Sequence, residues 1–283
     1  MRFVSKPISI GFIALAILAL ALPQNYVILA PGPTTNLMNG AVEIKNLNGA
    51  DKTIGTDRAS NGSTTSSTNN AAKNDGIFST AILATGPNQR TYGYQVLAAW
   101  LDGNLAVMPR NALYDSGEKA ATAKARQLKE MADSENNAAI AAWSYLKEIA
   151  RLQGKSMPTW RASDVKIALK NTGGGSAGLA FALALIAKSA DPNLIAGRKI
   201  AATGTISQDG KVGEIGGVDQ KVIGAKENGI EVFIMPKSNC ATLSKSPAGV
   251  KIYAVSTLSE AVHALAFAQS RAGALSVFTC PKK

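Results

Sequence analysis

The segment from Gly173 to Ala187, GGGSAGLAFALALIA, constrains the fold of this chain more than any other. Its three glycines let the backbone approach a ligand closely, and the apolar run that follows predicts a helix buried on every side. Ser176 stands where the glycines meet this helix, at the end whose free N–H groups and dipole favour a developing negative charge. A helix-capping serine in a tight turn is the alternative interpretation.

A lysine in a later segment adds a second reactive group. Residues 216–229, GGVDQKVIGAKENG, predict a helix in which Val218, Lys221, Val222 and Ala225 share one face. Desolvation on a core-facing stripe lowers the pKa of a lysine, so Lys221 becomes available as a general base for a serine nucleophile. The alternative is a lysine whose ammonium reaches water, and the spacing alone does not bring the two side chains together.

From Gly173 onward, the chain resembles the proteolytic domain of the Lon protease family. The resemblance rests on three motifs in the family's order: Ser176-Ala177-Gly178, Thr203-Gly204-Thr205-Ile206, and Ile215-Gly216-Gly217 followed by Lys221. It implies that Ser176 is the nucleophile, Lys221 the base and Thr203 a hydroxyl that helps to position the lysine. The neighbouring residues Gly174, Gly175 and Ala177 would support the serine turn, although the family usually has proline where Gly175 stands.

The resemblance extends upstream of these motifs. Residues 129–152 are similar to the helix that precedes the serine strand in Lon domains, and residues 164–169 to that strand. Residues 26–34 and 96–114 resemble a bacterial subgroup of membrane-anchored, ATP-independent Lon-like proteases. Members of this subgroup usually carry a PDZ module before the serine strand. Residues 153–163, which fill that gap here, are too few for one.

The N-terminus has the pattern of a targeting segment. Arg2 and Lys6 precede an apolar run over residues 8–22, and the next charge is Glu43. The run is short for a membrane span, and residues 19–21 offer a small-x-small cleavage site, so an uncleaved anchor and a cleaved signal peptide both remain open. Either one places the body of the protein outside the cytoplasm, and the family resemblance favours a single-pass anchor in the cell membrane.

Composition and patterning indicate one sizeable α/β core. The chain has 283 residues, of which 46% are hydrophobic and 17% are charged. Predicted strands alternate with predicted helices, as in an α/β domain. The strands cover residues 77–84, 200–206, 232–235 and 250–255, and the helices cover residues 118–152 (with a break near 133–134), 179–188, 218–228 and 258–268. The resemblance implies a Lon-like domain with a mixed sheet and packed helices, preceded by a membrane anchor.

This pattern divides the chain into four parts. Residues 1–30 form the anchor or signal segment, and residues 31–75 an extracytoplasmic segment with a Pro-Gly-Pro turn at 31–33 and a Ser/Thr/Asn-rich loop at 59–72. Residues 76–270 form the proteolytic domain. Residues 271–283 form a tail.

The cysteines and the histidine have structural interpretations. Cys240 and Cys280 are an even pair, which in an oxidising compartment predicts a disulfide that pins the C-terminal tail. No CxxC motif or Cys/His cluster occurs, so neither a metal nor a cofactor is expected. His263 is the only histidine and lies on a helix opened by the capping box Thr257-x-x-Glu260. A lysine base makes it unnecessary for catalysis.

Absent motifs narrow the function. No Walker A motif occurs, so no ATP-hydrolysing site is expected. The net charge is +11, but the lysines are scattered and only 6% of the residues are aromatic, which argues against nucleic-acid binding. We therefore expect an ATP-independent serine endopeptidase that uses a Ser–Lys dyad to cleave unfolded or flexible extracytoplasmic polypeptides. The partners would be polypeptide substrates and, through the N-terminus, the membrane; the oligomeric state is open.

Two other functions remain open. A catalytically inactive Lon-like domain could bind peptides or a partner at the cell envelope, an alternative that the glycine before the serine and the missing PDZ module favour. An acyl hydrolase acting on small esters is the third interpretation.

Overall fold

A computed structural model of the chain describes residues 6–45, 75–169, 172–267 and 279–280. Its helices are α1 (Lys6–Ala21), α2 (Gly93–Leu101), α3 (Ala120–Gln153), α4 (Gly178–Ser189), α5 (Val218–Glu227) and α6 (Leu258–Phe267). Its strands are β1 (Pro23–Gln24), β2 (Tyr26–Asn36), β3 (Val42–Ile44), β4 (Gly76–Ala84), β5 (Thr91–Tyr92), β6 (Ala106–Pro109), β7 (Val165–Ile167), β8 (Lys199–Ala202), β9 (Thr205–Ile206), β10 (Val212–Gly213), β11 (Val232–Pro236) and β12 (Lys251–Val255).

The core of the fold is a six-stranded mixed sheet in the order β12-β11-β8-β4-β2-β6. The four strands β4, β8, β11 and β12 run parallel to one another. Strand β2 pairs antiparallel with both β4 and β6. Two-stranded pairs, β1–β5, β3–β7 and β9–β10, lie outside this sheet. The predicted α/β class with a mixed sheet is therefore confirmed.

Helices cover both faces of the sheet because successive strand residues point to opposite sides. Ile200 and Ile234 face the cluster that contains α4, whereas Ala201 and Phe233 face the cluster that contains α5. Helix α4 lies between the sheet and helices α3 and α6. Every residue of α4 from 178 to 187 is buried, as its uniformly apolar sequence predicts.

Two element predictions are wrong in detail. The predicted break in the long helix near Ser134 does not occur, since α3 is continuous. The Ser134 hydroxyl donates to Gly175 O at 2.9 Å, so a buried polar side chain is satisfied without interrupting the helix. The predicted strand over residues 200–206 is divided at residues 203–204 into β8 and β9.

The predicted turn at residues 31–33 is also wrong. Strand β2 continues through this segment, and its register against β4 shifts between Pro31 and Thr34. The irregularity lets α5 pack almost directly on the strand backbone: a Cβ added to Gly224 would lie 2.6 Å from Gly32 O. A glycine is therefore required where α5, the helix that carries Lys221, crosses β2.

The ends of the chain contribute one cross-link and one apolar helix. Cys240 and Cys280 form a disulfide. Helix α1 has 16 residues, and none of the helices in the described residues combines the length and the apolar character needed to cross a membrane.

The Ser/Thr/Asn-rich loop at 59–72 lies outside the described residues. The proposed division at residue 76 stays a prediction, with β2 before it and β4 after it in one sheet.

The crossing of α5 over β2 predicts the effect of one small substitution. Gly224→Ala should lower the free energy of unfolding by about 1–3 kcal/mol, because the new methyl group overlaps the Gly32 carbonyl. This exceeds the gain of about 1 kcal/mol that alanine normally brings to a helix. Denaturant unfolding of the full chain measures the change.

Gly216→Ala is the matched control for this substitution. Gly216 is exposed, and no heavy atom lies within 4 Å of the position that its Cβ would occupy. Its free energy of unfolding should change by about 0.5 kcal/mol at most. If Gly224→Ala were as stable as this control, the close approach of α5 to β2 would be refuted.

Candidate active site

Ser176 lies in a single 3-10 turn, Gly175–Ala177, that leads directly into α4. Gly174, before the turn, has a φ of 87°, a conformation that favours glycine. Three hydrogen bonds hold the backbone of consecutive residues: Gln127 O accepts from Gly174 N (2.8 Å), Gly175 O from Ser134 Oγ (2.9 Å), and Ser176 O from Gly204 N (2.7 Å). Helix α3 and the segment between β8 and β9 therefore fix the position of the serine.

A glycine immediately before the serine is not required by the geometry of the turn. A Cβ on Gly175 would lie 3.6 Å from Thr205 Cγ2 and 3.7 Å from Glu130 O, which are ordinary contact distances. The φ of Gly175 also lies outside the left-handed region. The turn thus has space for a side-chain Cβ at this position, and its backbone hydrogen bonds restrain it in the absence of the proline that is usual in Lon domains.

Lys221 reaches this turn from the opposite face of the sheet, on α5. Its Nζ lies 2.7 Å from Ser176 Oγ and 3.1 Å from Thr203 Oγ1, and the residue is 3% exposed. A lysine whose ammonium reaches water would be far more exposed, so that alternative does not fit. The Ser176 hydroxyl likewise faces Lys221, and the residue that precedes α4 as its cap is Ala177.

Burial changes the protonation of the lysine. Removal from water lowers the pKa of the Lys221 ammonium from its usual value of 10.5 to about 7, since solvation of the charge is lost. Near neutral pH, a large fraction of Lys221 is therefore an uncharged amine with a free lone pair. Such an amine can accept a proton from a hydroxyl at hydrogen-bond distance.

Thr203 contacts this amine. It lies at the division between β8 and β9 and is fully buried. Its hydroxyl donates to Ser176 O at 3.1 Å, so the lone pairs of Oγ1 are free to accept a hydrogen bond from Lys221 Nζ. With an N–H directed to Thr203, the neutral amine can point its lone pair at the Ser176 hydroxyl.

Sequence reasoning did not identify Asn239 as part of this arrangement. Asn239 is 1% exposed, and its Oδ1 accepts from Ile215 N (3.0 Å) while its Nδ2 donates to Ile215 O (2.9 Å). The two bonds hold the loop that enters α5, where Gly217 has a φ of 65°. An asparagine after a strand usually indicates an exposed turn, so no sequence signal distinguished this one.

The other candidate residues lie away from this cluster. His263 is exposed on α6, where one half of the predicted capping box forms: Thr257 Oγ1 accepts from Glu260 N at 3.1 Å. The Glu260 carboxylate accepts from Ser256 N at 2.7 Å instead of from Thr257 N. Within the ranges that the structure describes, no three His, Cys, Asp or Glu side chains gather to hold a metal ion. The side chains brought together are therefore a serine, a buried lysine and a buried threonine.

Comparison with known proteins matches residues 111–267 to the Lon protease (S16) C-terminal proteolytic domain. A Lon protease of Desulfosudis oleivorans is 30% identical over 175 residues, which are 59% of this chain and 20% of the relative. Lon protease 2 of Thermus thermophilus is 36% identical over 122 residues, 42% of this chain and 15% of the relative. A Lon protease of Mesomycoplasma hyopneumoniae is 44% identical over 78 residues, 28% and 9% of the two chains.

The chain spans a fifth or less of the length of these curated relatives. The matched family region, by contrast, covers more than half of this chain and contains the serine turn, Thr203 and Lys221. The chain belongs to the family of Lon protease (S16) C-terminal proteolytic domains, which are serine peptidase domains.

Proposed function

We propose that this protein is a serine endopeptidase in which Ser176 is the nucleophile and Lys221 the general base. One observation carries the proposal: the Lys221 amine, almost fully buried, lies 2.7 Å from Ser176 Oγ. Among the described residues no carboxylate pairs with Lys221, and burying such a lysine has a cost in stability that a role in proton transfer accounts for.

The chemistry follows from this contact. Neutral Lys221 takes the hydroxyl proton of Ser176 as Oγ attacks the carbonyl carbon of a peptide bond. The N–H groups of the turn at residues 175–177, at the positive end of α4, stabilise the oxyanion. Protonated Lys221 then gives its proton to the departing amine, and the acyl-enzyme forms. A water molecule, deprotonated by Lys221, releases the acid product and regenerates the serine.

The substrates would be unfolded or flexible polypeptides. The sequence contains no Walker A motif, so we propose cleavage without an ATPase module in this chain to unfold a substrate first. The basic, then apolar N-terminus and the resemblance to the membrane-anchored Lon-like subgroup support a single-pass anchor with the catalytic domain outside the cytoplasm. The pairing of Cys240 with Cys280 is consistent with an oxidising compartment.

A catalytically inactive, peptide-binding domain is the competing function. The glycine before the serine favours this alternative only if the turn is loose, and the hydrogen bonds at residues 174–176 argue against a loose turn. An acyl hydrolase of small esters would use the same nucleophile. The range of substrates cleaved therefore separates the three functions.

Cleavage of an unfolded peptide library, followed by mass spectrometry, tests the proposal. Ser176→Ala and Lys221→Met should each reduce the cleavage rate by about a thousandfold or more, because each removes one half of the activated nucleophile. Lys226→Met, on the exposed side of the same helix, is the matched control and should cleave like the wild type.

Three outcomes contradict the proposal of a Ser176–Lys221 peptidase. Cleavage that survives both substitutions would mean that another site acts. A folded wild type that cleaves no peptide would favour the binding domain. Turnover of small esters without peptide cleavage would favour the acyl hydrolase.

The pH dependence of kcat/KM reports on the base. Because only neutral Lys221 can accept a proton, activity should be low in acid and rise with pH through a midpoint of about 7. An initial-rate series on one fluorogenic peptide measures this midpoint. A midpoint near 10.5, the ordinary lysine value, would contradict a desolvated base.

Asn239 should act as a positioning residue. Asn239→Ala leaves the N–H and carbonyl of Ile215 without their partners, at a cost of about 1–3 kcal/mol, and loosens the loop that enters α5. We expect kcat to fall about tenfold with a smaller change in KM, because the Ser–Lys geometry is disturbed before substrate binding is. The midpoint of the pH profile should stay near 7, since Lys221 remains buried.

Asn88→Ala, at an exposed loop position, is the control for this variant and should leave kcat unchanged. Equal kcat values in wild type and Asn239→Ala would show that Asn239 does not position the site. A loss of folded protein without a change in the kcat of the remaining folded fraction would show a structural role only.

A further inference from the structure

Helix α2 presents an unusually apolar surface to its surroundings. Tyr94, Leu97, Trp100 and Leu101 are 56%, 43%, 68% and 80% exposed, and their i, i+3, i+6 and i+7 spacing places them within one third of the helix circumference. We call these four side chains the α2 face. The opposite side of α2, with Val96 and Ala99, is buried against the domain. The helix is therefore apolar on both sides, although only one side packs on protein.

The α2 face is held at the end of α1. Gly93 N donates to Leu22 O at 3.1 Å, and β1 pairs with β5, the strand that leads into α2. The backbones are so close that a Cβ on Gly93 would lie 2.5 Å from Ala19 O. The orientation of α2 relative to the C-terminal end of α1 is thus set by backbone contacts.

Helix α1 indicates which surroundings both helices share. After Lys6 it contains no charged residue, and Ile13, Leu15, Ile17 and Leu18, which point in different directions, are 55–62% exposed. A helix with no polar side is not solvated favourably by water. Helix α1 is therefore suited to an apolar environment. The first residue of α2 lies beside the C-terminal end of α1 in space, so both helices meet the same surroundings.

The composition of the α2 face suits the boundary of such a medium. Tyr94 and Trp100 have amphipathic rings of the kind that concentrate at membrane–water interfaces, and Leu97 and Leu101 supply apolar surface. Exposed basic residues flank the helix: Arg90 precedes it, and Lys245 approaches Gly103, which follows it. With a net charge of +11, this arrangement matches an anionic lipid surface.

We propose that the α2 face lies in the headgroup region of the membrane, so that the domain rests on the bilayer through α2 as well as through its N-terminal segment. This inference relies on the proposed membrane attachment of α1. It adds a second, shallow contact that fixes the orientation of the catalytic domain relative to the lipid surface. A second copy of the chain is the competing occupant of the same face.

Trp100 makes the proposal measurable in the full chain. Vesicles of phosphatidylcholine and phosphatidylglycerol are prepared with bromine near the headgroup end of the acyl chains or near the bilayer centre, since bromine quenches tryptophan fluorescence at short range. We expect strong quenching by the shallow bromine, weaker quenching by the deep one, and loss of most of this quenching in Trp100→Phe. Trp143→Phe, which removes a partly buried tryptophan of α3, should keep it.

Flotation of the same samples distinguishes a chain that does not bind vesicles from a chain that binds them without contact by the α2 face. If the full chain does not float with the vesicles, both the attachment of α1 and the α2 proposal are refuted, while peptide cleavage by the sample still tests the peptidase assignment. If the chain floats but Trp100→Phe leaves the quenching unchanged, only the α2 proposal is overturned. Trp100 emission that is shifted to the blue without quenching by bromine would mean that protein, and not lipid, covers the α2 face.

Discussion

The removal of one amine from water is the constraint on which the site depends. Among the described residues no carboxylate forms an ion pair with Lys221, and loss of solvation lowers its pKa to about 7. A folded protein tolerates an unpaired buried lysine only if the surrounding packing holds it there. Helix α5 must therefore be fixed firmly against the sheet, with the amine directed at the serine turn on the other side.

Several close contacts meet this requirement. The irregular segment of β2 and Gly224 bring the backbone of α5 against the sheet, and Asn239 holds the loop that enters the helix. On the serine side, α4 is buried along nearly its whole length, and Thr203 connects the two halves through hydrogen bonds to Ser176 O and Lys221 Nζ. The reactive atoms thus belong to rigid elements, which favours a fixed geometry for proton transfer.

Local pattern was sufficient to predict much of this arrangement from sequence. The uniform apolarity of α4 and the alternation of strands with helices predicted these elements, and the residues themselves pointed to Ser176 and Lys221. The resemblance to Lon domains added Thr203. The continuity of α3 and the passage of β2 through residues 31–33 were not predicted, because each depends on a partner distant in sequence: Gly175 O in one case, α5 in the other. Asn239 was missed for the same reason, since its two bonds to Ile215 give an ordinary turn residue a buried role.

Direct titration of Lys221 is the measurement that tests the central claim. In the full chain labelled with ¹³C-lysine, the Lys221 Cε resonance is assigned by its absence in Lys221→Met and followed by NMR as the pH is raised. We expect a transition at about pH 7, well below the ordinary lysine value of 10.5. A transition near 10.5 would show a solvated ammonium and contradict the proposed base.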